Sequence, residues 1–586
     1  MKKHFFLLLI IISQYYSVVA QKAVQNNNET LFNNIHQEKI FVHFNSTFLL
    51  TGETFYYKLY CLNSTNNKLS ALSKIAYVAL IDSELNEVFK QKATLESGLG
   101  QGDFFIPTSI KSGNYKVVAY TQWMRNAGDT AIFTEDISIV NPFNQNQNAI
   151  LSKAIDTLNV DVSNNLPVTI DASKILKSNF IALNLPRGSF KNREKVTLQF
   201  ESLKEMESYG NYSVSVRKIA PFKTLENQNA IEYSKIETNN SATNLKNKMI
   251  FLPELRGELI SGTVVKKDTN LPVEDVKVSL SITGKDNVFK MATTNNLGQF
   301  YFNLSEKYKQ AVATIQLLNN NENYSINLET QTSLDYSHLK FIDYKITKTA
   351  NNYILQQSIN NQIENAYGSV KPSETVKSSL ENSFYNSKEI SYNLDDFTRF
   401  PTVKETIVEI VDVLTVKQRK GNAFLEVIWA NRTYDSGLLP LVIFDGIIIQ
   451  DHNEIINYNA NKIQTINVVR EKYLYGTKLF EGIISFSSVN GDFSKQSASD
   501  TSVKMALLKP LDKKIYFKQV YDTSTNLKRI PDFRTQLLWL PNLEISSKTK
   551  HIDFFTSDVS GTFEISLEGF TINGNAVSLK EVIVVE

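Results

Sequence analysis

Between Lys39 and about Phe143, apolar and polar residues alternate in short runs, each cut by glycine, asparagine or serine. Phe41–Phe44, Phe55–Tyr60, Ile75–Leu80 and Gly113–Tyr120 are four of them. A period of two sends every second side chain to one face of a strand, and closely spaced runs of this kind pack as a β-sandwich. The pattern returns where Tyr212, Val214 and Val216 alternate with Ser213, Ser215 and Arg217, and again from about Leu511 to Glu586. Tyr (26) and Phe (35) far outnumber Trp (3) and Met (6), a palette that favours strands over helices. The expected fold class is mainly β, with serial immunoglobulin-like sandwiches in a chain long enough for several domains.

Residues 1–20 read as a signal peptide. Lys2 and Lys3 precede the apolar run Phe5–Ile12, and Ser17-Val18-Val19-Ala20 offers a small-residue cleavage site. The run is too short for a bilayer span, which needs about 20 residues. No later segment is long and apolar enough for a membrane helix. The mature chain is therefore expected to be exported and soluble, held at most peripherally to a membrane. A net charge of +2 predicts neither a nucleic-acid groove nor a polybasic anchor. With Cys61 as its one cysteine, the chain has no intrachain disulfide and no cysteine-ligated zinc.

The expected sandwiches span residues 38–143, 165–250, 256–330 and 511–586. Within the second, Glu226 to Lys248 reads as a long loop. Residues 331–399 read as a helix and polar linker, with Ile359, Ile363, Ala366 and Tyr367 at helical spacing and a tether from Gly368 to Asn393. Residues 400–490 read as a small α/β unit in which Thr402 caps a helix carrying Val403, Ile407, Ile410 and Val411.

Several of these runs carry resemblances. Thr51-Gly52-Glu53-Thr54, Gly100–Phe104, and Ser112–Tyr115 leading to Tyr120-Thr121-Gln122-Trp123 resemble the macroglobulin-type domains of bacterial alpha-2-macroglobulin-like proteins. Trp123 would anchor the gap between sheets. Leu538-Trp539-Leu540-Pro541 and Phe554–Gly561, with Asp558 and Gly561, are similar to another such domain. Gly262-Thr263-Val264, Leu271-Pro272-Val273 and Thr294–Phe302 resemble the carboxypeptidase regulatory-like fold, a non-catalytic module in that family. The α/β unit resembles the plug domain of TonB-dependent outer-membrane receptors. It carries Leu441–Phe444 ending in Asp445-Gly446, then Lys462–Val469, Tyr475-Gly476, and Phe480–Phe486 around Gly482, in the family's order. The resemblance makes Phe444, Asp445, Gly446, Tyr475, Gly476 and Gly482 a docking candidate. Gly52, Glu53, Tyr120, Trp123, Trp539, Asp558 and Gly561 would be structural.

The departures from these families are informative. A receptor barrel of about 22 strands of about 10 residues needs more than about 200 residues, and only about 100 follow Ser488. The resemblance therefore leads us to expect a plug without its own pore. Glu581–Glu586 superficially resembles the segment such receptors offer to TonB, but it reads as the last strand of a sandwich. The Cys-Gly-Glu-Gln thioester of the protease-trapping family is missing, so covalent trapping is excluded and Cys61 reads as a small core residue.

Catalytic signatures are absent from the sequence. His36, His43, His338, His452 and His551 form no His-Glu-x-x-His helix and no pair at metal-ligand spacing. Asp451-His452-Asn453-Glu454 reads as a solvated turn, and Asp395-Asp396 as a helix entry. No nucleophile elbow or phosphate loop appears. No cofactor and no metal is expected, and the chain reads as no enzyme. Trp123, Trp429 and Trp539 are expected in cores. The resulting expectation is an exported, non-enzymatic interaction protein. Its partner would be an outer-membrane β-barrel protein or complex serving transport, export or barrel assembly. The alternative is a free-standing macroglobulin-like binder of proteases or other extracellular proteins.

Overall fold

The computed structural model describes residues 35–152, 175–236, 251–283, 288–305, 308–318, 322–329, 333–376, 389–419, 421–428, 437–475, 478–493, 501–521 and 529–586. The signal-peptide reading, Trp429 and Gly476 lie outside them. The chain is mainly β and divides into two compact units. One comprises Met1–Leu255, Tyr336–Thr375 and Lys513–Glu586; the other comprises Arg256–Asp335 and Val376–Asp512. The backbone thus passes between the units four times.

The first unit begins with a sandwich made from consecutive strands. They are β1 (Glu38–Phe44), β2 (Phe48–Leu50), β3 (Thr54–Asn63), β4 (Ile75–Ile81), β5 (Glu87–Thr94), β6 (Leu99–Phe105), β7 (Gly113–Tyr120) and β8 (Phe133–Val140). One sheet has the order β1-β3-β6 and the other β2-β8-β7-β4-β5. Trp123 is buried and stands at the start of the short helical turn that follows β7. Its Nε1 donates to the carbonyl of His36 at 3.0 Å and so pins the entry of the chain.

Sequence separation misleads at the second sandwich. The separate sandwiches expected over 165–250 and 511–586 are one structure. It is built from β9 (Ile181–Asn184), β10 (Ser189–Phe190), β11 (Lys195–Ser202), β12 (Gly210–Lys218) and the strands Gln536–Ile545, Thr549–Phe555, Gly561–Thr571 and Ala576–Val585. β12 lies between Gln536–Ile545 and Gly561–Thr571, antiparallel to both, and β11 pairs with Thr549–Phe555. Neither half could bury its apolar face alone: Tyr212, Val214 and Val216 share one core with Leu538, Phe563, Ile565 and Leu567. The terminal segment Glu581–Glu586 lies largely in the strand Ala576–Val585, paired with Gly561–Thr571.

The expected loop at Glu226–Lys248 contains the helix Ala230–Ser234, started by a reciprocal capping box between Asn229 and Glu232. The helix Asn351–Ala366 falls where helical spacing predicts one, but only part of the expected face turns inward: Ile354 is buried with Tyr353 against it, and Ile363 is half-buried. Ile359, Ala366 and Tyr367 lie on the exposed side, while Gln357, Ser358, Asn360 and Asn361 are buried.

In the second unit, a seven-stranded sandwich takes six strands from residues 258–328 and a seventh, Ser502–Ala506, from much later in the chain. Between them comes a five-stranded mixed sheet. Its order is Ile390–Asn393, Ile463–Val469, Ile483–Ser488, Leu441–Phe444, Ile447–Ile448. The stretch ending at Asn393, expected as a tether, thus contributes an edge strand. The helix Val403–Glu409 starts where expected, with Thr402 and Glu405 forming a capping box. Within this unit the two elements share an apolar cluster of Phe289 and Leu318 with Leu441, Ile443, Phe480 and Ile483.

Candidate functional site

Burial explains the first feature of the site region. Every residue of β1 is buried, including Glu38, Lys39 and His43, because the β1-β3-β6 sheet is covered on both faces. Its outer face lies on the five-stranded sheet of the split sandwich. Aromatic side chains fill this seam: Phe41 and Tyr60 pack on Phe570, and Tyr56 and His43 on Trp539. These ring pairs combine large apolar area with fixed geometry.

Polar groups inside the seam are matched one by one. His43 Nδ1 lies 2.6 Å from Ser213 Oγ, and its Nε2 lies 3.3 Å from Ser566 Oγ. Burial, and after it the charge on Lys580, hold the imidazole down at about 3, so the ring is neutral. Tyr60 Oη lies 3.0 Å from both Ser213 Oγ and the Glu568 carbonyl, with one proton to share between them. Lys58 Nζ donates to Asn542 Oδ1 at 2.5 Å, and burial lowers its pKa to about 7. Glu568 accepts from Ser578 Oγ at 2.6 Å and from Ala230 N at 2.8 Å, while burial raises its carboxyl to about 7. At the other end of the same short helix, Lys39 Nζ donates to the carbonyls of Ser234 and Ile236. An acid therefore sits at the helix N-terminus and a cation at its C-terminus, as the helix dipole favours.

A serine beside a histidine resembles part of a nucleophilic site. Here both residues are buried, and the second ring nitrogen meets a hydroxyl instead of an orienting carboxylate. The pair does structural work. Sequence inspection missed it because Ser213 and His43 lie 170 positions apart. The Asn229–Glu232 capping spacing was the one local sign of the helix that joins the seam.

The macroglobulin-type residues have structural positions. Gly52 has φ +88°, and an added Cβ would press on Asn365. Glu53 accepts from Leu50 N, Arg217 Nη2 and Gln357 Nε2. Tyr120 stacks on Tyr77, and Trp539 on Tyr56. Asp558 accepts two bonds from Arg193, each at 2.5 Å, and Gly561 has φ +132° beside Lys218. Asp558 also belongs to a larger cluster: Asp532 is held by Arg534 at 2.6 and 2.7 Å and by Tyr521 at 2.5 Å, and its amide donates to Asp558.

In the second unit, most of the docking candidate lies inside the fold. Asp445 and Gly446, both at positive φ, form the two-residue turn between Leu441–Phe444 and Ile447–Ile448. Phe444 stacks on Phe493 and is buried. The buried Asp445 carboxylate accepts from Ser488 N, Ser488 Oγ and Phe493 N. Gly482 is buried at φ +97°, where a Cβ would strike the Val469 carbonyl. These residues hold the turn together and cannot present side chains to a partner. His452 corrects another expectation: it is buried, and its Nδ1 accepts from Leu425 N at 3.0 Å. Burial takes its pKa to about 4.

The part of the candidate that reaches the surface is a pair of antiparallel strands, Tyr473–Tyr475 and Lys478–Phe480. Tyr473 and Tyr475 stack on each other and pack against the inner cluster. Alternation sends Leu474 and Leu479 outward as a cross-strand pair, 65% and 42% exposed. Among the described residues no group of three or more His, Cys, Asp or Glu could hold a metal, and no helix is long and apolar enough to cross a membrane.

No protein-family model matches the chain, and no curated protein matches it. Among solved structures, Salmonella alpha-2-macroglobulin reacted with methylamine aligns at 9% identity and a TM-score of 0.23, covering 94% of this chain and 39% of that one. Native E. coli alpha-2-macroglobulin aligns at 10% identity and 0.23, covering 94% and 40%. A tetra-tandem repeat from the extending region of a large adhesion protein aligns at 9% identity and 0.13, covering 94% and 100%. The chain spans about two-fifths of the length of these alpha-2-macroglobulins. Similarity this low assigns no function.

Proposed function

We propose that this chain is an exported, non-enzymatic interaction protein that docks on an outer-membrane β-barrel complex through its second unit. The observation that carries the reading is the strand pair Tyr473–Tyr475 and Lys478–Phe480, which lies within the stretch resembling a receptor plug. Its aromatic face is committed to the interior while two paired leucines face outward. An exposed apolar pair on two braced strands is suited to burial against a partner. The buried Asp445 turn gives this unit a rigid base, and a rigid presenting element loses little entropy on binding.

The test is affinity purification from detergent-solubilised envelopes of the native host, comparing the native chain with Leu474→Ser/Leu479→Ser. The expected result is recovery of a protein with the heat-modifiable migration of a membrane β-barrel, reduced at least tenfold by the double substitution. Recovery of the chain alone, or of the barrel undiminished by the substitutions, overturns the reading. Binding of added proteases in place of a barrel would favour the free-standing binder.

A further inference from the structure

Lys58, in β3, is buried and reaches across the seam between the two sandwiches of the first unit. Its Nζ donates to Asn542 Oδ1 at 2.5 Å and lies 5.6 Å from the centre of the Tyr60 ring. Among the described residues no carboxylate pairs with it. The buried Lys116 and Lys371, by contrast, each meet a carboxylate at 2.7 Å. A buried ammonium without a counter-ion sheds its proton readily. Burial, with the charge of Lys513 adding to it and that of Glu96 opposing, brings this amine to about 7. The acceptor is held as firmly as the donor. Asn542 stands in a bulge of the outer strand Gln536–Ile545: Leu543 pairs with Tyr212 and Leu540 with Val214, leaving Pro541 and Asn542 opposite Ser213. Such a bulge re-aims a side chain. Here Asn542 Nδ2 donates to Gln101 Oε1, and Gln101, the cross-strand neighbour of Lys58, donates to the Lys514 carbonyl at 2.7 Å. Both ends of the carboxamide are thus fixed, its oxygen by Lys58 and its nitrogen by Gln101. A C=O bond of about 1.23 Å puts Nζ within about 3.7 Å of Cγ, close to a reacting separation.

We infer that Lys58 and Asn542 join in an intramolecular amide cross-link. The Nζ lone pair adds to Cγ, the C=O electrons move onto Oδ1 and return, and the Cγ–Nδ2 bond breaks. Nζ gives up one proton, and Nδ2 takes it and departs as ammonia. No oxidant, reductant or co-reactant enters. Asn542 is exposed, so the ammonia escapes to water and the exchange runs one way. The rate comes from position, because an amine and an amide fixed against each other react as one molecule rather than two. The product ties β3 of the contiguous sandwich to an outer strand of the split one across 484 positions. A covalent tie closing so long a loop restricts the unfolded chain far more than the folded one.

Peptide mapping of the purified full chain by mass spectrometry tests this. The expected result is one linked peptide carrying both Lys58 and Asn542, lighter by one ammonia than the two separate peptides together. Both free peptides should be lost from most of the sample. Lys58→Met and Asn542→Ser should each abolish the linked peptide and slow migration in a denaturing gel, where an unlinked chain is more extended. The native chain decides the matter by itself if either variant folds poorly. Chain recovered in urea and kept there should hold both free peptides, and a link formed equally in urea overturns the inference, since it would not depend on the folded geometry. Free, unmodified peptides in the native chain also overturn it. So does conversion of Asn542 to aspartate without a link, or a link at Lys58 that survives Asn542→Ser.

Discussion

The two sandwiches of the first unit use the same alternation of residues yet are assembled differently. In one, every strand pairs with a partner inside residues 38–140. In the other, β12 is hydrogen-bonded between two strands more than 300 positions away. Hydrophobic alternation specifies which face of a strand is buried, but it carries no address for the neighbouring strand. The difference has a kinetic side too. Long-range pairing costs closure entropy before contacts repay it, so the contiguous sandwich should form first and the split one only once the C-terminal strands exist.

Ending the chain after Thr535 should have the largest effect, because it deletes four of the eight strands of the split sandwich. Residues 181–218 should become sensitive to protease within minutes. Cys61 should meanwhile stay protected from thiol reagents: it is buried in β3, with backbone partners at Gly98 and Ser70, all inside the contiguous sandwich. Burial also keeps its pKa high, which slows reaction further. Rapid labelling of Cys61 in the truncated chain would show that the two sandwiches fold as one and would remove the contrast.

A smaller break compares the ion pairs of the two sandwiches. In the split one, Arg534 holds the buried Asp532 through two bonds. Arg534→Ala leaves that carboxylate with Tyr521 and a more distant Lys371, and should cost about 3 kcal/mol in urea unfolding. In the contiguous sandwich, Lys116 meets Asp136 through one bond at 2.7 Å, and both side chains keep some solvent contact. Lys116→Ala should cost about 1 kcal/mol, as a charge left near water is partly rehydrated. Equal losses at the two sites would mean that the cluster around Asp532 does not bind the split sandwich together.

Where sequence and structure agree, the signal was local. The Thr402–Glu405 capping box, the Asp445-Gly446 turn and the alternation at Tyr212, Val214 and Val216 all depend on residues a few positions apart. Where they part, a distant group decides. The stripe at Ile359, Ile363, Ala366 and Tyr367 is periodic, but the Glu53 carboxylate and Thr535 hold Gln357 inward, and of that stripe only Ile363 stays half-buried. Phe444 and Asp445 read as a docking motif from order and resemblance, yet three donors from Ser488 and Phe493 commit the aspartate to the interior. The seam was illegible for the same reason: β1 looks like a strand with one wet face until the C-terminal strands cover it.

The finest test of the contrast lies in that seam, where two buried groups push stability in opposite directions with pH. His43 has a folded pKa of about 3 against 6.5, so the unfolded chain binds a proton that the folded chain refuses. Its stabilising share is present above 6.5 and falls as pH drops toward 3, by about 1.4 kcal/mol per unit. Glu568 has a folded value of about 7 against 4.5, so the folded chain keeps a proton the unfolded one releases. Its share is present below 4.5 and is lost as pH rises through 7. Between 4.5 and 6.5 the two slopes oppose each other, so their combined contribution to the pH dependence should nearly cancel. His43→Gln should uncover a stability that declines with rising pH in that window, and Glu568→Gln one that climbs. Urea midpoints at pH 5 and pH 6.5 read the difference directly. Parallel slopes in the two variants would show that the seam is open to water, and that the covered face of β1 is not what binds the contiguous sandwich to the split one.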